Sequence, residues 1–369
     1  MIVTIIVFLL VLSVIVFVHE LGHFYTAIKL GIGVEEFGFG FPPRMFGIKR
    51  KGIIYSINWI PLGGFVKIKG EAGEHAQDKD SFINQPVWKR AIVLFAGVFM
   101  NWILALVLIS VGYFAGLPAV LEGDLPSGIQ VRDEKVQIIE VYPGSAADQV
   151  GLKIGDTVFS VNQQKFNDSL ELQKYLKEHN EAEFNFQIKR GQEDKEFAVT
   201  ATEIADLDGE RLVGIGLVNS GIVSYPWYQA PWEGLKTTVN MTFLIVRAFF
   251  GLIANLIRGS GVGDVSGPIG VAVFAGRAME MGWIYLLQFT ALISVNLAVI
   301  NILPFPALDG GRILFLIIEK IRRKPNDQKM EAIVHNVGFA LLMLLIVLVT
   351  YKDIVRYGGG LISKITDLF

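Results

Sequence analysis

Residues 1–30 of the chain read MIVTIIVFLLVLSVIVFVHELGHFYTAIKL, with Glu20 as the only carboxylate and Lys29 as the only lysine or arginine. A helix needs about 20 predominantly apolar residues to cross a bilayer, so this stretch predicts a membrane-spanning helix. It lacks the basic start and the small-residue cleavage site of a secretory signal. We therefore expect the span to be retained.

The same stretch contains His19-Glu20-Leu21-Gly22-His23, a complete H-E-x-x-H motif. Helix positions i and i+4 share a face, so the two imidazoles can bind one zinc ion while the glutamate faces a coordinated water as general base. The motif alone is a weak signal, because it also arises by chance. Ionisable groups inside an apolar span are costly and indicate a functional site. The alternative is an ion-paired helix end that emerges into water.

The composition places this span in a membrane protein. Apolar residues make up 52% of the 369 residues, charged residues only 18%, and cysteine is absent; the mean hydropathy is +0.48. These values exclude a disordered chain, a disulfide scaffold and any cysteine-based metal site. Residues 91–121, 283–303 and 333–351 are also long and apolar enough to cross. We predict a polytopic α-helical membrane protein with four transmembrane helices in the lipid bilayer.

The charges are unevenly distributed along the chain. Residues 29–90 hold ten Lys and Arg and residues 320–329 hold five, whereas residues 117–226 hold 19 acidic against 10 basic residues. Short basic loops face the cytoplasm, so the acidic segment and both termini are expected on the other side. A nucleic-acid-binding protein would gather its basic residues in the soluble segment, and nucleic acid is therefore not an expected partner.

A third zinc ligand is expected, because catalytic zinc usually has three protein ligands. Residues 301–311 read NILPFPALDGG, and Asp309 is the only acid in residues 283–318. Prolines and glycines break the helix here, and non-helical backbone at membrane depth needs a cavity or a metal to face. Asp309 can meet His19 only if the third span runs from outside to inside, so that residues 227–282 do not cross. An aspartate that caps the following helix is the alternative.

A fifth apolar stretch, residues 237–257, is not among the four predicted spans. It contains Arg247 and is flanked by Trp227 and Trp232 before it and by a glycine-rich segment after it. These features are typical of an amphipathic helix in the membrane interface.

Residues 122–222 predict a small soluble α+β domain inserted between the membrane parts. Strand-like runs cover residues 136–141, 157–161, 183–188 and 196–202, and an amphipathic helix covers residues 170–178. The segments YPGSAADQVGLKIGD (142–156) and VNQQ (161–164) resemble the PDZ pattern. A PDZ domain could bind an extended peptide by strand addition, or only limit access to the membrane domain, and the sequence leaves both open.

The paired H-E-x-x-H and N-x-x-P-x-P-x-L-D-G motifs, with a PDZ-like segment between them, resemble the site-2 protease family. The resemblance is to its bacterial regulator-of-sigma-factor protease type, here with a single PDZ domain. Matching segments extend over essentially the whole chain: FGFGF (37–41), PLGGFVK (61–67), AGVFMN (96–101) and SGPIG (266–270). By motif matching, the resemblance assigns His19, His23 and Asp309 as zinc ligands and Glu20 as the catalytic base.

This resemblance implies an intramembrane zinc endopeptidase of the bacterial inner membrane, with its active site near the cytoplasmic side and its PDZ domain outside. Its substrates would be membrane-spanning segments of single-span proteins, such as anti-sigma factors or signal-peptide remnants, cut after a first protease has acted. The PDZ domain would meet either a peptide or the substrate ectodomain.

Two regions are candidates for holding a substrate. Residues 53–69 read as two strands around a Pro-x-Gly-Gly turn that contains Gly63 and Gly64. This membrane-associated β-hairpin, on the cytoplasmic side, could pair with an unwound substrate strand, or only pack. Asn296 and Asn301 could bind the substrate backbone through their amides, or only hydrogen-bond to other helices.

The predicted organisation has four parts: a first membrane part (1–121), the PDZ domain (122–222), an interfacial helix with a glycine-rich connection (223–282) and a second membrane part (283–369). The alternative function is a catalytically idle membrane adaptor that binds partners through its PDZ domain, and the intact Glu20 argues against it. A zinc transporter is a further alternative, but transporters usually contain internal repeats and none is visible.

Overall fold

A computed structural model describes residues 2–71, 73–75, 77–121, 128–142, 144–179, 183–191, 193–203, 211–259 and 266–366. The chain divides into two compact units. We call Met1–Ser110 with Pro231–Phe369 the helical unit, and Val111–Ala230 the sheet unit.

The helices and strands of the described residues follow in chain order. The helices are α1 Ile2–Lys29, α2 Val87–Ala115, α3 Ala146–Val150, α4 Ser169–Glu178, α5 Ala230–Ile257, α6 Pro268–Met281, α7 Trp283–Ile302, α8 Asp309–Arg322 and α9 Gln328–Thr366. The strands are β1 Val34–Arg50, β2 Ile53–Ile68, β3 Leu117–Val120, β4 Gln130–Val141, β5 Thr157–Val161, β6 Glu183–Arg190, β7 Glu193–Thr200, β8 Thr202–Glu203, β9 Arg211–Leu212 and β10 Ile215–Ser224.

Each of the four predicted spans overlaps a long apolar helix: α1, α2, α7 or α9. The second was predicted too long, since α2 ends at Ala115 and residues 117–120 form β3. By length and composition, α5 also qualifies, so the described chain offers five candidate spans where the sequence predicted four. The N-terminal half of α5 lies beside α2, since the Trp102 indole N–H donates to the Thr242 hydroxyl at 3.2 Å. A Cβ on Gly234 would likewise overlap Ser110.

The strand pair of the helical unit extends the predicted hairpin. Residues 53–68 form the continuous strand β2, which pairs with β1. Within β2, residues 54–57 run parallel to residues 36–39 and residues 64–67 run antiparallel to them, so the chain reverses between the two runs, as the predicted turn requires. The chain reverses at Lys51 and Gly52, whose φ angles of 51° and 85° suit a two-residue hairpin turn. The hairpin therefore begins at Val34, well before the segment that the turn residues of the sequence suggested.

The Pro-x-Gly-Gly segment lies inside β2, where it packs against α1. A Cβ on Gly63 would come within 2.6 Å of the Val16 side chain, so glycine here permits a close approach to α1 as well as the reversal of the chain. The Ser13 hydroxyl donates to the Pro61 carbonyl at 2.7 Å and accepts the Gly63 N–H at 3.3 Å. The hairpin also doubles back, because residues 36–39 pair with both 64–67 and 54–57.

Small and hydroxyl side chains bring α1, α2 and α7 close together. Gly22 of α1 faces the backbone of Ala96, and a Cβ there would overlap it. Ser294, fully buried on α7, donates its hydroxyl to the Asn101 carbonyl of α2 at 2.8 Å. These contacts are typical of membrane helix interfaces, where small residues let backbones approach.

The sheet unit is built on six strands in the order β3-β10-β4-β5-β6-β7. The predicted strands correspond to β4, β5, β6 and β7, and the predicted helix to α4. Residues at alternating positions along its strands face inward and form much of its core. Phe184 and Phe186 of β6 are among them and are fully buried. Asp156, 1% exposed, accepts two hydrogen bonds at 2.7 Å from Arg190, and this carboxylate raises the pKa of the Arg190 guanidinium.

Candidate metal centre

Three side chains of the helical unit converge on one point. The Nε2 atoms of His19 and His23 lie 3.1 Å apart, and Asp309 Oδ2 lies 3.0 Å from the first and 3.6 Å from the second. Tetrahedral zinc with bonds of about 2.0–2.1 Å keeps its ligand atoms about 3.3 Å apart. The three distances bracket that value, so the donor set fits zinc.

The burial of these groups supports the same conclusion. His19 and His23 are 7% and 6% exposed, and Asp309 Oδ2 is buried without a hydrogen bond of normal geometry among the described residues. A buried carboxylate oxygen without such a partner is costly. A bound cation would remove that cost.

Local sequence explains how each ligand reaches the site. His19 and His23 share one face of α1, with their rings edge to face at 4.7 Å. Asp309 is the first residue of α8, directly after the turn that ends α7. Gly310 and Gly311 follow it, and a Cβ on either would overlap the backbone of the turn. Glycine is therefore required for the chain to double back so closely behind the carboxylate.

The imidazole of His23 is oriented by α2. Its Nδ1 lies 2.8 Å from the Val93 carbonyl oxygen, an acceptor, so Nδ1 carries the proton and donates it. The lone pair of Nε2 then faces the other two ligands, as metal-binding histidines require. Gly97, one turn along α2, makes room for this ring, since a Cβ there would overlap it.

The imidazole of His19 is oriented by Asn101, which is fully buried on α2. The Asn101 amide nitrogen lies 3.4 Å from His19 Nδ1, while its Oδ1 has no partner among the described residues. When Nε2 binds a metal, Nδ1 carries the proton and needs an acceptor. Rotating the amide by 180° supplies Oδ1 as that acceptor and gives the buried oxygen a partner.

Asn101 and Gly97, which lie in the matching segment AGVFMN (96–101), were not predicted to have a role in the site. One signal could have identified them. They lie four residues apart in a span without charged residues, so they share a helix face. That face meets the two histidines.

Glu20 lies on the wall of a cavity of about 270 Å³ that also contains the ligands. Its Oε2 accepts the Val66 N–H of β2 at 3.1 Å, so the hairpin orients the carboxylate. The cavity is lined by Val16, His19, Glu20, Leu297, Asn301, Ala307, Leu308 and Asp309.

The other residues considered for substrate binding lie in different surroundings. Asn301 lines the cavity, whereas the Asn296 amide donates to the Leu292 carbonyl of its own helix at 3.0 Å. Gly63 lies against Val16, and Gly64 lies beside Phe17 and the Gly38 carbonyl. Both glycines thus belong to the contact between β2 and α1.

We expect Asn101→Leu to weaken zinc binding by about 10- to 100-fold, the usual cost of losing a hydrogen-bond partner of a metal-binding histidine. Asn101→Asp, which keeps an acceptor, should bind zinc more tightly than the leucine variant. Competition with a chromogenic chelator measures both affinities on purified protein, and Val107→Leu, at an exposed position of the same helix, is the control. Unchanged zinc affinity in Asn101→Leu would show that His19 has another acceptor.

Comparison with known proteins gives one consistent answer. Residues 7–345 match the model of peptidase family M50. The zinc metalloprotease RasP of Geobacillus kaustophilus is 30% identical, over 96% of this chain and 98% of its own length. The regulator of sigma-W protease RasP of Bacillus subtilis is also 30% identical, over 96% and 98% of the two chains. The chain therefore belongs to peptidase family M50, the site-2 protease family, and is a multi-pass membrane zinc metalloprotease.

Proposed function

We propose that this protein cleaves membrane-spanning segments of single-span proteins, with zinc held by His19, His23 and Asp309 and with Glu20 as general base. The observation that carries the proposal is the convergence of three ligand atoms beside Glu20 in the cavity. The relative from Bacillus subtilis is named a regulator of sigma-W protease. We extend that name to this chain as a substrate class, namely anti-sigma factors or other single-span proteins that a first protease has trimmed.

The chain's own groups account for the proton transfers of peptide hydrolysis. Zinc, when bound, polarises the scissile carbonyl and lowers the pKa of water. The Glu20 carboxylate takes a proton from the attacking water and returns it to the leaving amine nitrogen. The Val66 N–H holds Oε2, which leaves Oε1 to face the water.

The hairpin supports a mode of substrate binding. A peptide bond in a helix is shielded by its own hydrogen bonds, so a substrate must unwind before hydrolysis. The Val66 N–H points to Glu20, which means that this edge of β2 faces the catalytic carboxylate. We infer that the unwound substrate pairs with β2 here. Gly63 and Gly64 serve this binding by bringing the strand against α1.

Asn301 and Asn296 complete the proposed substrate contacts. Asn301 lies on the cavity wall, where its amide can hydrogen-bond to the substrate backbone. Asn296 lies five residues earlier on α7 and keeps its Oδ1 for the same purpose. An unwound substrate strand would thus have backbone partners on both β2 and α7.

The contacts of the helical unit support a four-span arrangement. Gly276 of α6 packs against Thr4 of α1, and α7 begins directly after α6 and ends beside Asp309 and His19. Helices α1 and α7 therefore run in the same direction. If only α2 crosses the membrane between α1 and α7, these two helices run in the same direction. If α5 also crossed, α7 would run in the opposite direction to α1.

A crossing by α5 also conflicts with chain length. The Gly267 N–H donates to Asp353 of α9 at 3.2 Å, about 27 Å along that helix from His335, which contacts Ala307 beside the metal site. If α5 crossed, ten residues after Ile257 would have to return across about 30 Å of hydrocarbon. Their extended reach is about 35 Å, and their backbone groups would be unpaired. We infer that α5 dips beside α2 and does not cross.

The basic segments fix the proposed orientation in the bacterial inner membrane. Residues 29–90 and 320–329 together hold 15 of the 33 Lys and Arg and are cytoplasmic by the positive-inside rule. The active site then lies nearer the cytoplasm, and residues 122–222 lie outside.

We propose that residues 122–222 are a PDZ domain that limits substrate access. Strand β10 pairs with β3 only over residues 220–223, so an incoming peptide could add to the remaining edge. Helix α4 covers that edge, because Gln173 donates to the Leu217 carbonyl at 3.2 Å. The Asn219 side chain in turn accepts the Ser169 N–H at 2.7 Å. Strand addition would have to displace these bonds, which favours a gate over peptide recruitment.

The catalytic assignment predicts separable losses. We expect His23→Phe and Asp309→Ala to lose zinc and proteolysis together. Glu20→Gln should keep zinc and lose about 10²- to 10⁴-fold in rate, since only proton transfer is removed. Elemental analysis and cleavage of a single-span reporter measure the two properties. Stoichiometric zinc in Asp309→Ala would contradict the ligand set, and full activity in Glu20→Gln would contradict the role of the base.

The orientation can be tested with single cysteines, because the chain contains none. Lys174 and Lys324 both have exposed side chains and form a matched pair. We expect Lys174→Cys to react with a membrane-impermeant maleimide in spheroplasts, and Lys324→Cys to react only after lysis. Reaction of Lys324→Cys in intact spheroplasts would contradict the proposed orientation.

The gate predicts what removal of the sheet unit does. Replacing residues 124–220 with a flexible linker should permit cleavage of a reporter that retains its ectodomain, because the excluding body is gone. Cleavage of the trimmed reporter should be unchanged. Slower cleavage of the trimmed reporter, without a gain for the full-length one, would instead show that the domain recruits substrate.

A further inference from the structure

The turn that carries Asp309 contains a strained residue. Ala307 has a φ of +80°, a strained region that residues with a Cβ rarely adopt. Such strain persists only where surrounding contacts enforce it. Ala307 and Leu308 also line the cavity, so whatever holds this residue shapes both the third ligand and the cavity wall.

One contact that holds Ala307 comes from the last candidate span. The Ala307 N–H donates to His335 Nδ1 of α9 at 2.9 Å, across 28 residues of sequence. The other described backbone hydrogen bonds of Phe305 and Leu308 join residues at most four apart. They close the turn locally but do not fix it to another helix. The histidine does so.

The chemistry of the ring defines what this contact requires. Because Nδ1 accepts the Ala307 N–H, it carries no proton, and the ring is neutral with its proton on Nε2. Nε2 is buried without a hydrogen-bond partner among the described residues, and the ring packs beside Phe315 of α8 at 5.5 Å. Of the two ring nitrogens, Nδ1 thus has a hydrogen-bond partner among the described residues, and that partner lies in the turn.

A second contact lies three residues further along α9. Gly338 is buried, and a Cβ there would come within 2.6 Å of the Pro306 carbonyl oxygen. Helix positions i and i+3 share a face, so His335 and Gly338 present one surface to the turn. The first supplies an acceptor and the second lets the backbone approach.

We propose that His335 and Gly338 are positioning residues for Asp309: α9 holds the turn at Pro306 and Ala307 and thereby sets the depth and direction of the third zinc ligand. This inference rests on the proposed role of Asp309. It gives the fourth span a part in the reaction although the span supplies no ligand.

Two variants of His335 whose side chains resemble each other in shape test whether the Nδ1 acceptor is needed. Asn places Oδ1 close to the position of Nδ1, whereas Leu has the same shape and no acceptor. We expect His335→Leu to weaken zinc affinity about tenfold, at the low end of the range for second-sphere changes, and to lower kcat with little change in KM. His335→Asn should restore both to within about threefold of wild type. Asn336→Leu, at the exposed neighbouring position, is the control.

Gly338→Ala tests the second contact independently. The added methyl group should push Pro306 away and weaken zinc affinity in the same direction as His335→Leu. The thermal unfolding temperature of each metal-free variant separates positioning from folding. A loss of zinc affinity without a fall in that temperature, rescued by asparagine, supports the proposal. If His335→Leu fails to fold, Gly338→Ala and His335→Asn still provide the comparison.

Several outcomes overturn the inference. Wild-type zinc affinity and kcat in His335→Leu would do so, as would an asparagine variant as impaired as the leucine variant. Retention of zinc by Asp309→Ala would instead overturn the ligand assignment itself. If Asp309→Ala loses zinc while His335→Leu and Gly338→Ala keep it, the proposed function stands and only the positioning role of α9 fails.

Discussion

The convergence of His19, His23 and Asp309 on one point is the constraint on which the rest of the helical unit depends. Buried ionisable groups inside apolar helices are costly unless they are paired or bind a metal. The three residues come from α1 and from the start of α8, 286 residues later in sequence. Helix α1 and the turn between α7 and α8 must therefore meet at one depth with a fixed rotation, and the remaining elements are arranged to keep them so.

Helix α2 provides most of this support without supplying a ligand. Its Val93 carbonyl orients His23, its Asn101 faces His19, and Gly97 leaves room for the rings. The same helix receives the Ser294 hydroxyl of α7. A single face of residues 93–101, a part of α2 without charged residues, thus contacts both imidazoles and the helix that leads to Asp309. This explains why the span contains an amide and a glycine at an interval of four residues.

The sequence was sufficient to predict that these three residues converge, because their chemistry is rare in an apolar context, whereas their roles as zinc ligands stay a prediction. Spacing predicted that His19 and His23 share a face, and a lone acid in a broken helix predicted Asp309; the structure brings all three together. The hairpin was predicted without strand β1 and the turn at residues 51–52, because the glycines and prolines of residues 38–43 weaken a strand pattern. The close approach of Gly63 to Val16 was also not visible in the sequence. Hydropathy likewise could not separate α5 from a span, since length and composition satisfy both.

Helix α8 begins at Asp309, the proposed third ligand. The position of this carboxylate depends on contacts along α8 and on contacts to the turn before it. The helix is a rod of about 21 Å with Asp309 in its first turn, where the helix dipole favours a carboxylate. Further along, Arg90 of α2 pairs with Glu319, with side chains only 11% and 15% exposed, and Arg312 pairs with Glu71. Breaking one partner of a buried ion pair costs about 3–5 kcal/mol, so the Arg90–Glu319 pair resists sliding or rotation of the rod, and the more exposed Arg312–Glu71 pair adds less. They do not control the direction of its first residue, which depends on the preceding turn. His335 of α9 contacts that turn, so under the proposal the depth of Asp309 and its direction would depend on separate contacts.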